Sequence, residues 1–246
     1  MSADHRAVWG RFFDGVSRTK GDSEAANSYI SVGNFRLLRA EVMSLLGDLR
    51  GARVLDAGCG TGHFSLPLVA ANSVVGVDIS AEMLAFARAK GLAPVRAAAE
   101  ALPFAGGVFD VVLAASVIQL IPDGAAFVRE LLRVVKPGGR VVICTINAGN
   151  AAIGILRVLE RKKYRHFRIY PFREIAALVR AAGGTVRSYR FLYYPFGGAA
   201  SIPGRKKPGP VPRFFGTTVV VEAVNAVPPG QDLGHYAARQ ESLRTR

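Results

Sequence analysis

The stretch VLDAGCGTGHFS, Val54 to Ser65, decides how the rest of this chain is read. A short apolar run ends at Asp56 and passes into the spacing Gly58-x-Gly60-x-Gly62. Glycine lets a backbone turn tightly and approach a ligand with no Cβ in the way. A helix that starts just after such a turn adds unpaired N–H groups that favour an anion. An ordinary strand-to-helix turn satisfies the same pattern, so the stretch alone does not separate structure from binding. Its neighbours do.

Working outward, apolar runs alternate with helical periodicity. Strands are expected at 53–58, 73–78, 93–98, 108–116, 140–147, 185–196 and 217–224. Helices are expected at 4–18, around Phe35 to Leu46, at 62–71 despite Pro67, and at 80–91 behind a Ser80 cap. Further helices are expected at 124–139, closed by Pro-Gly-Gly, at 151–163 and at 171–184. Such alternation implies an α/β fold, a mostly parallel sheet covered by helices on both faces. Sheets of that kind bind ligands at the carboxyl ends of their strands, near a topological switch point. The polar run from Ser17 to Ser28 and the tail 227–246 have little to pack and read as mobile or disordered.

Composition narrows the class. The 246 residues are 50% hydrophobic and 20% charged, enough for one full α/β domain. No apolar run approaches the roughly 18 residues that would span a bilayer. The first residues have no apolar core behind their charges, so no secretory signal is expected. Two cysteines, Cys59 and Cys144, do not form a disulfide framework, which fits a reducing cytoplasm. The net charge of +14 is concentrated: residues 157–221 hold 14 basic and 2 acidic side chains, a net of +12. Within them ERKKYRHFR, Glu160 to Arg168, is the densest cationic run. Such a segment suits an anionic partner, either phosphate backbone or anionic lipid.

The second strand ends at Asp78, about 20 residues beyond Asp56, where an acid can accept from a ribose diol. AEALPF (Ala99 to Phe104) and LLRVVKPGGRVVI (Leu131 to Ile143) follow in order. The glycine spacing is not that of nicotinamide binders. With these four motifs in sequence, the chain resembles the class I methyltransferases dependent on S-adenosylmethionine, most closely the small-molecule and lipid-quinone branch (methyltransferase type 11-like). The resemblance is close over residues 35–145. It implies a Rossmann-like sheet of seven strands with the last antiparallel, N-terminal helices, and a helical cover after strand 5. It divides the chain into an N-terminal helix and mobile segment (1–34), a methyltransferase domain (35–226) with a cover insertion (148–170) and a basic loop (197–213), and a disordered tail.

The resemblance also implies roles. Asp56, Gly58, Cys59, Gly60 and Gly62 form the loop that holds the methionine part of the cofactor. Asp78 grips the ribose hydroxyls, Ile79 lies against the adenine, and Ala99 and Glu100 border the adenine edge. The family usually places an Asp two positions before that Glu; here it is Ala98, which leaves backbone groups, Glu100 or packing on Leu102 to recognise the adenine. Ser116 begins the segment facing the sulfonium and acceptor, and Gln119 stands where the family often has His. Methyl transfer from a sulfonium is an in-line displacement, so a general base is needed only if the acceptor must lose a proton. The candidate catalytic residues are His63, Gln119 and His166. Tyr164, Tyr170, Tyr193 and Tyr194 are candidates to line an acceptor pocket. His5 and His235 read as bystanders, and no cluster has metal spacing.

Three readings follow. One is a methyltransferase for a small or lipid-like acceptor, working in the cytoplasm or peripherally at an anionic membrane. The second is an RNA methyltransferase using 157–213 as a phosphate-binding face. The third is a non-catalytic methyltransferase-like binding protein. The oligomeric state is left open.

Overall fold

The computed structural model describes residues 3–27, 32–150, 167–192 and 218–226, with four single positions between 153 and 159. The basic loop 197–213, the tail 227–246, most of the expected helix 151–163, and His166, Tyr164, Tyr193 and Tyr194 lie outside the described residues.

Seven strands form one sheet: β1 (Arg53–Ala57), β2 (Ser73–Asp78), β3 (Ala93–Arg96), β4 (Phe109–Ala115), β5 (Val135–Ile146), β6 (Gly184–Leu192) and β7 (Thr218–Asn225). Their order is β3-β2-β1-β4-β5-β7-β6. β1 to β5 pair in parallel, and β7 runs antiparallel to both β5 and β6. The parallel strands are near-continuous apolar runs because both faces are covered. Leu55, Val112 and Ile143 face one core together with Phe127, Leu131 and Ile175. Val54, Val111 and Val142 face the other with Phe35, Val42 and Leu84. Thus α4 (Gly124–Val134) and α5 (Phe172–Ala181) cover one face, and α2 (Val32–Leu46) and α3 (Ala81–Ala89) the other. Ser80 caps α3 by accepting from the Met83 N–H, and Asp123 caps α4 by accepting from the Ala126 N–H.

Three stretches differ from the sequence expectation. No α-helix forms over 62–71; the chain makes turns with a single 3-10 turn at Leu66–Leu68. Pro67 offers no N–H and disfavours the helical conformation at Leu66. α4 stops at Val134, and β5 starts at once with Val135 instead of at residue 140. The register jumps from Phe109↔Val135 to Val111↔Arg140, so Lys136 to Gly139 form an irregularity in the strand rather than a separate turn. The polar run after α1 (Ala3–Lys20) holds a 3-10 helix at Glu24–Asn27, tied down where Glu24 pairs with Arg36 and Arg39 and Asp22 with Lys90.

α1 leaves the apolar face expected of it only half satisfied. Trp9 is buried, while Val8 and Phe12 are 40% and 47% exposed.

Candidate functional site

The order reverses between β1 and β4, and a cavity opens there beyond the strand ends. Its floor is Asp56 and Gly58 to Gly60, its sides carry Asp78, Ile79, Ala97, Ala99 and Glu100, and its far wall is Ala115 to Val117 with Leu120 and Ile121. Phe35, Leu38 and Phe64 close one flank. Trp9 and Phe13 of α1, with Ala26 and Asn27, complete the wall.

The glycine loop is closely packed from both sides. At Gly58 (φ 82°) a Cβ would lie 2.2 Å from a Val117 methyl, and at Gly60 (φ 54°) 2.1 Å from Asn27 Oδ1. Asn27 Oδ1 accepts from the Thr61 N–H at 3.0 Å, while its amide group donates to Thr61 Oγ1. The Thr61 hydroxyl then faces His63 Nδ1 at 2.8 Å. Thr61 Oγ1 accepts from Asn27 and keeps a proton and a second lone pair, so it can serve either tautomer of His63. Burial first, then the Lys90 cation, lowers the His63 pKa and keeps the ring neutral.

Asp56 is 1% exposed, and neither carboxylate oxygen has a hydrogen-bond partner. Burial raises its pKa to about 7, the Ser65 hydroxyl nearby opposes that, and the Asp78 charge adds to it. Asp78 is differently placed: Oδ2 accepts from the Gly60 N–H and Oδ1 from the Ser80 N–H, both at 2.9 Å. Burial still raises its pKa against those bonds. Glu100 holds a third carboxylate on the wall; its Oε1 is buried without a hydrogen bond, 3.9 Å from Arg6 Nε. Unpaired buried carboxylates are costly, so these oxygens mark where a cationic group or N–H donor completes the site. Ser116, at the end of β4, is the non-glycine residue among those described with positive φ (61°), a strained conformation typical of functional sites.

Of the sequence candidates for cofactor binding, Asp56, Gly58, Cys59, Gly60, Asp78, Ile79, Ala99, Glu100 and Ser116 all line this cavity. Gly62 does not; its backbone packs on Ala87 and Leu92. Cys59 is a buried thiol wedged against Gly76, its pKa raised by burial and by Asp78 and Asp56, so it stays protonated. His63 points behind the loop toward Asp22, outside the cavity wall. Gln119 is 1% exposed and also off the wall: Oε1 accepts from Thr145 Oγ1 at 2.7 Å, and its carbonyl accepts from the Arg168 N–H. Tyr170 is fully buried, donating to the Ile121 carbonyl, and does not line the cavity. Among the described residues, no His/Cys/Asp/Glu group is arranged to hold a metal ion.

Sequence reasoning missed Trp9, Phe13 and Asn27 as wall residues. The i,i+4 pair on α1 carried a signal, but only that of a core-facing helix; Asn27 carried none. His5, read as a bystander, sits behind this wall, against two of its residues. Its Nε2 lies 3.0 Å from the Leu120 carbonyl and 2.9 Å from Trp9 Nε1, contacts that one tautomer cannot make together.

Comparison with known proteins agrees with this geometry. Residues 55–143 match the methyltransferase domain family. The demethylmenaquinone methyltransferase of Lactococcus lactis subsp. lactis (strain IL1403) is 38% identical over 132 residues, 49% of this chain and 52% of that protein. The chain thus spans about half the length of that relative. The ubiquinone biosynthesis O-methyltransferase of Bordetella avium (strain 197N) is 37% identical over 176 residues, 64% of this chain and 72% of that protein. Among solved structures, a Thermotoga maritima S-adenosylmethionine-dependent methyltransferase, a possible histamine N-methyltransferase, superposes with a TM-score of 0.67 over 90% of this chain and 99% of that one. At 22% identity that likeness speaks for the fold alone.

Proposed function

The chain belongs to the class I S-adenosylmethionine-dependent methyltransferases, and we propose that it transfers a methyl group from S-adenosylmethionine to a small quinone-type acceptor. The observation that carries the proposal is Asp56: a buried carboxylate with two unpaired oxygens, on the floor of a cavity whose opposite end is apolar and aromatic.

The residues present fit the cofactor. The Gly58 to Gly60 backbone and Asp56 would hold its methionine part, with the carboxylate answering positive charge. Asp78, already oriented by two backbone N–H groups, has lone pairs left for a ribose diol. Glu100 would take the place of the acid missing at Ala98, its Oε1, which makes no hydrogen bond and lies 3.9 Å from Arg6 Nε, being available to an adenine amino donor. When bound, the cofactor supplies a methyl group on a sulfonium whose leaving group needs no further activation.

The chain's own work is then alignment and exclusion of water. Ser116 and Val117 would form the wall between cofactor and acceptor, and Trp9, Phe13, Leu120 and Ile121 offer apolar surface on which a planar ring can stack. Asn27 from the cavity wall, with Thr61 and His63 behind the loop, acts to position the glycine loop.

The relatives named for demethylmenaquinone and ubiquinone biosynthesis point to the same acceptor chemistry. The test is labelled-methyl transfer by the full chain, offered a demethylmenaquinone-type acceptor in detergent and, separately, total cellular RNA. Label is expected in the solvent-extractable quinone and to be lost in Asp78→Ala. Label in RNA, or none in either while calorimetry records cofactor binding, overturns the acceptor assignment.

A further inference from the structure

A second cleft adjoins the cofactor cavity, between α1 and the end of β3, and the two share Ile79 and Ala97 as walls. Its volume is about 480 Å³, within the range of small-molecule sites. Ala7 and Gly10 of α1 leave it open; a Cβ at Gly10 would meet nothing within 4 Å.

Three arginines line the cleft: Arg6 and Arg11 from α1, and Arg96 from the end of β3. The acid on the same lining, Asp14, is committed to Ser80, whose Oγ donates to Asp14 Oδ1. Three cations against one aspartate leave the lining with a net charge of +2, and Ala98 beside them adds none. Glu100, on the wall of the cofactor cavity, lies 3.9 Å from Arg6 Nε, too far for a hydrogen bond. Two of the guanidiniums have donors to spare. Arg96 Nε donates to the Ile79 carbonyl at 3.1 Å, which fixes the fork and leaves both terminal nitrogens. Arg11 is exposed and makes no hydrogen bond or ion pair among the described residues.

Like charges gathered from two elements repel each other and attract an anion between them. A carboxylate has two oxygens, which one guanidinium fork fills. A phosphate group has three terminal oxygens and can face arginines of α1 and β3 together. We propose that this cleft binds a small phosphate-bearing molecule, which staples α1 to β3 and so holds the cofactor cavity closed. The helix is common to both spaces, because Trp9 and Phe13 wall the cofactor cavity while Arg6 and Arg11 line the cleft. A ligand in either space therefore strengthens binding in the other by the same factor.

The test is calorimetric titration of inorganic pyrophosphate into the full chain loaded with S-adenosylhomocysteine, with ionic strength held constant by chloride salt. Saturable binding of one pyrophosphate per chain is expected. Arg11→Ala and Arg96→Ala should each weaken it about tenfold. Arg180→Ala, at an exposed position of α5 away from the cleft, should leave it unchanged. Saturating pyrophosphate should tighten S-adenosylhomocysteine binding about fivefold in the parent and not in the two cleft variants. Without pyrophosphate both variants should bind S-adenosylhomocysteine as the parent does, which shows that the site was lost and not the fold. Any of four results overturns the proposal: no saturable binding, unchanged binding in the cleft variants, equal weakening by Arg180→Ala, or pyrophosphate that competes with S-adenosylhomocysteine or leaves its affinity unchanged. None of these readouts uses a methyl acceptor, so the outcome stands apart from the quinone reading.

Discussion

Burial lifts the Asp56 carboxyl from near 3.8 to about 7, with the Asp78 charge adding to the shift. The folded pKa lies above the unfolded one, so folding takes up a proton. The corresponding stability is present below about pH 4 and lost as pH rises through about 7, a span worth at most about 4 kcal/mol. Asp56→Asn is expected to remove this falling limb: without cofactor the variant should melt above the parent at about pH 8 and near it at about pH 4, while binding cofactor more weakly. Thermal melts at the two pH values check it; an equal loss of stability at both would mean that the carboxylate has a partner. Asp56 and Asp78 were legible because each ends an apolar strand, Asp56 just before the glycine loop and Asp78 about 20 residues on, within an ordered set of motifs. His63 stands next to the loop in sequence yet faces away from the cavity, because the positive φ at Gly60 and Gly62 turns the chain between them. Asn27 was illegible, since its role exists only once residue 27 meets residue 61 across the fold.

At the level of elements, the sheet beyond β4 depends on one acid. Glu222 of β7 is 4% exposed; it accepts from Arg140 Nε of β5 at 2.9 Å and from Ser188 Oγ of β6 at 2.8 Å. The same arginine donates to the Leu45 and Leu46 carbonyls at the end of α2, which have no partner within the helix. Three strands and a helix end therefore meet at one ion pair. Glu222→Ala leaves the guanidinium partly buried without its counter-charge and is expected to cost about 3 kcal/mol, visible as a lowered denaturant midpoint at unchanged slope. Glu222→Gln, which keeps an acceptor for Ser188, should cost less; a near-neutral Glu222→Ala would refute the bracing role. The strands themselves were readable from apolar runs. This pairing was not, because β5 and β7 adjoin only through an antiparallel return that no local pattern specifies. The expected helix over 62–71 failed for a local reason, the proline at 67, whose effect the apolar pattern outweighed in the reading.

Over the whole molecule, α1 works as a roof. It is anchored by His5 against the Leu120 carbonyl, by Arg6 near Glu100, by Asp14 accepting from Ser80 Oγ, and by Arg18 on Glu82. Most of these are partly exposed polar contacts, each worth about 0–1 kcal/mol, whereas the sheet is held by continuous ladders and two apolar cores. The roof is therefore the part that opens at least cost, and a ligand of the cofactor's size needs it to open. Once the cavity is filled, Trp9, Phe13 and Asn27 gain a partner and the closed arrangement gains by mass action, by about 2.7 kcal/mol at a hundredfold excess of ligand over Kd. Amide hydrogen exchange with and without S-adenosylhomocysteine reads this directly. Exchange in residues 3–20 and 24–27 is expected to slow by up to about a hundredfold, along with the 58–62 loop, while β6 and β7 change little. Protection confined to 58–62 would show that α1 is a fixed wall, and that the cofactor enters between the strand ends and α2 instead.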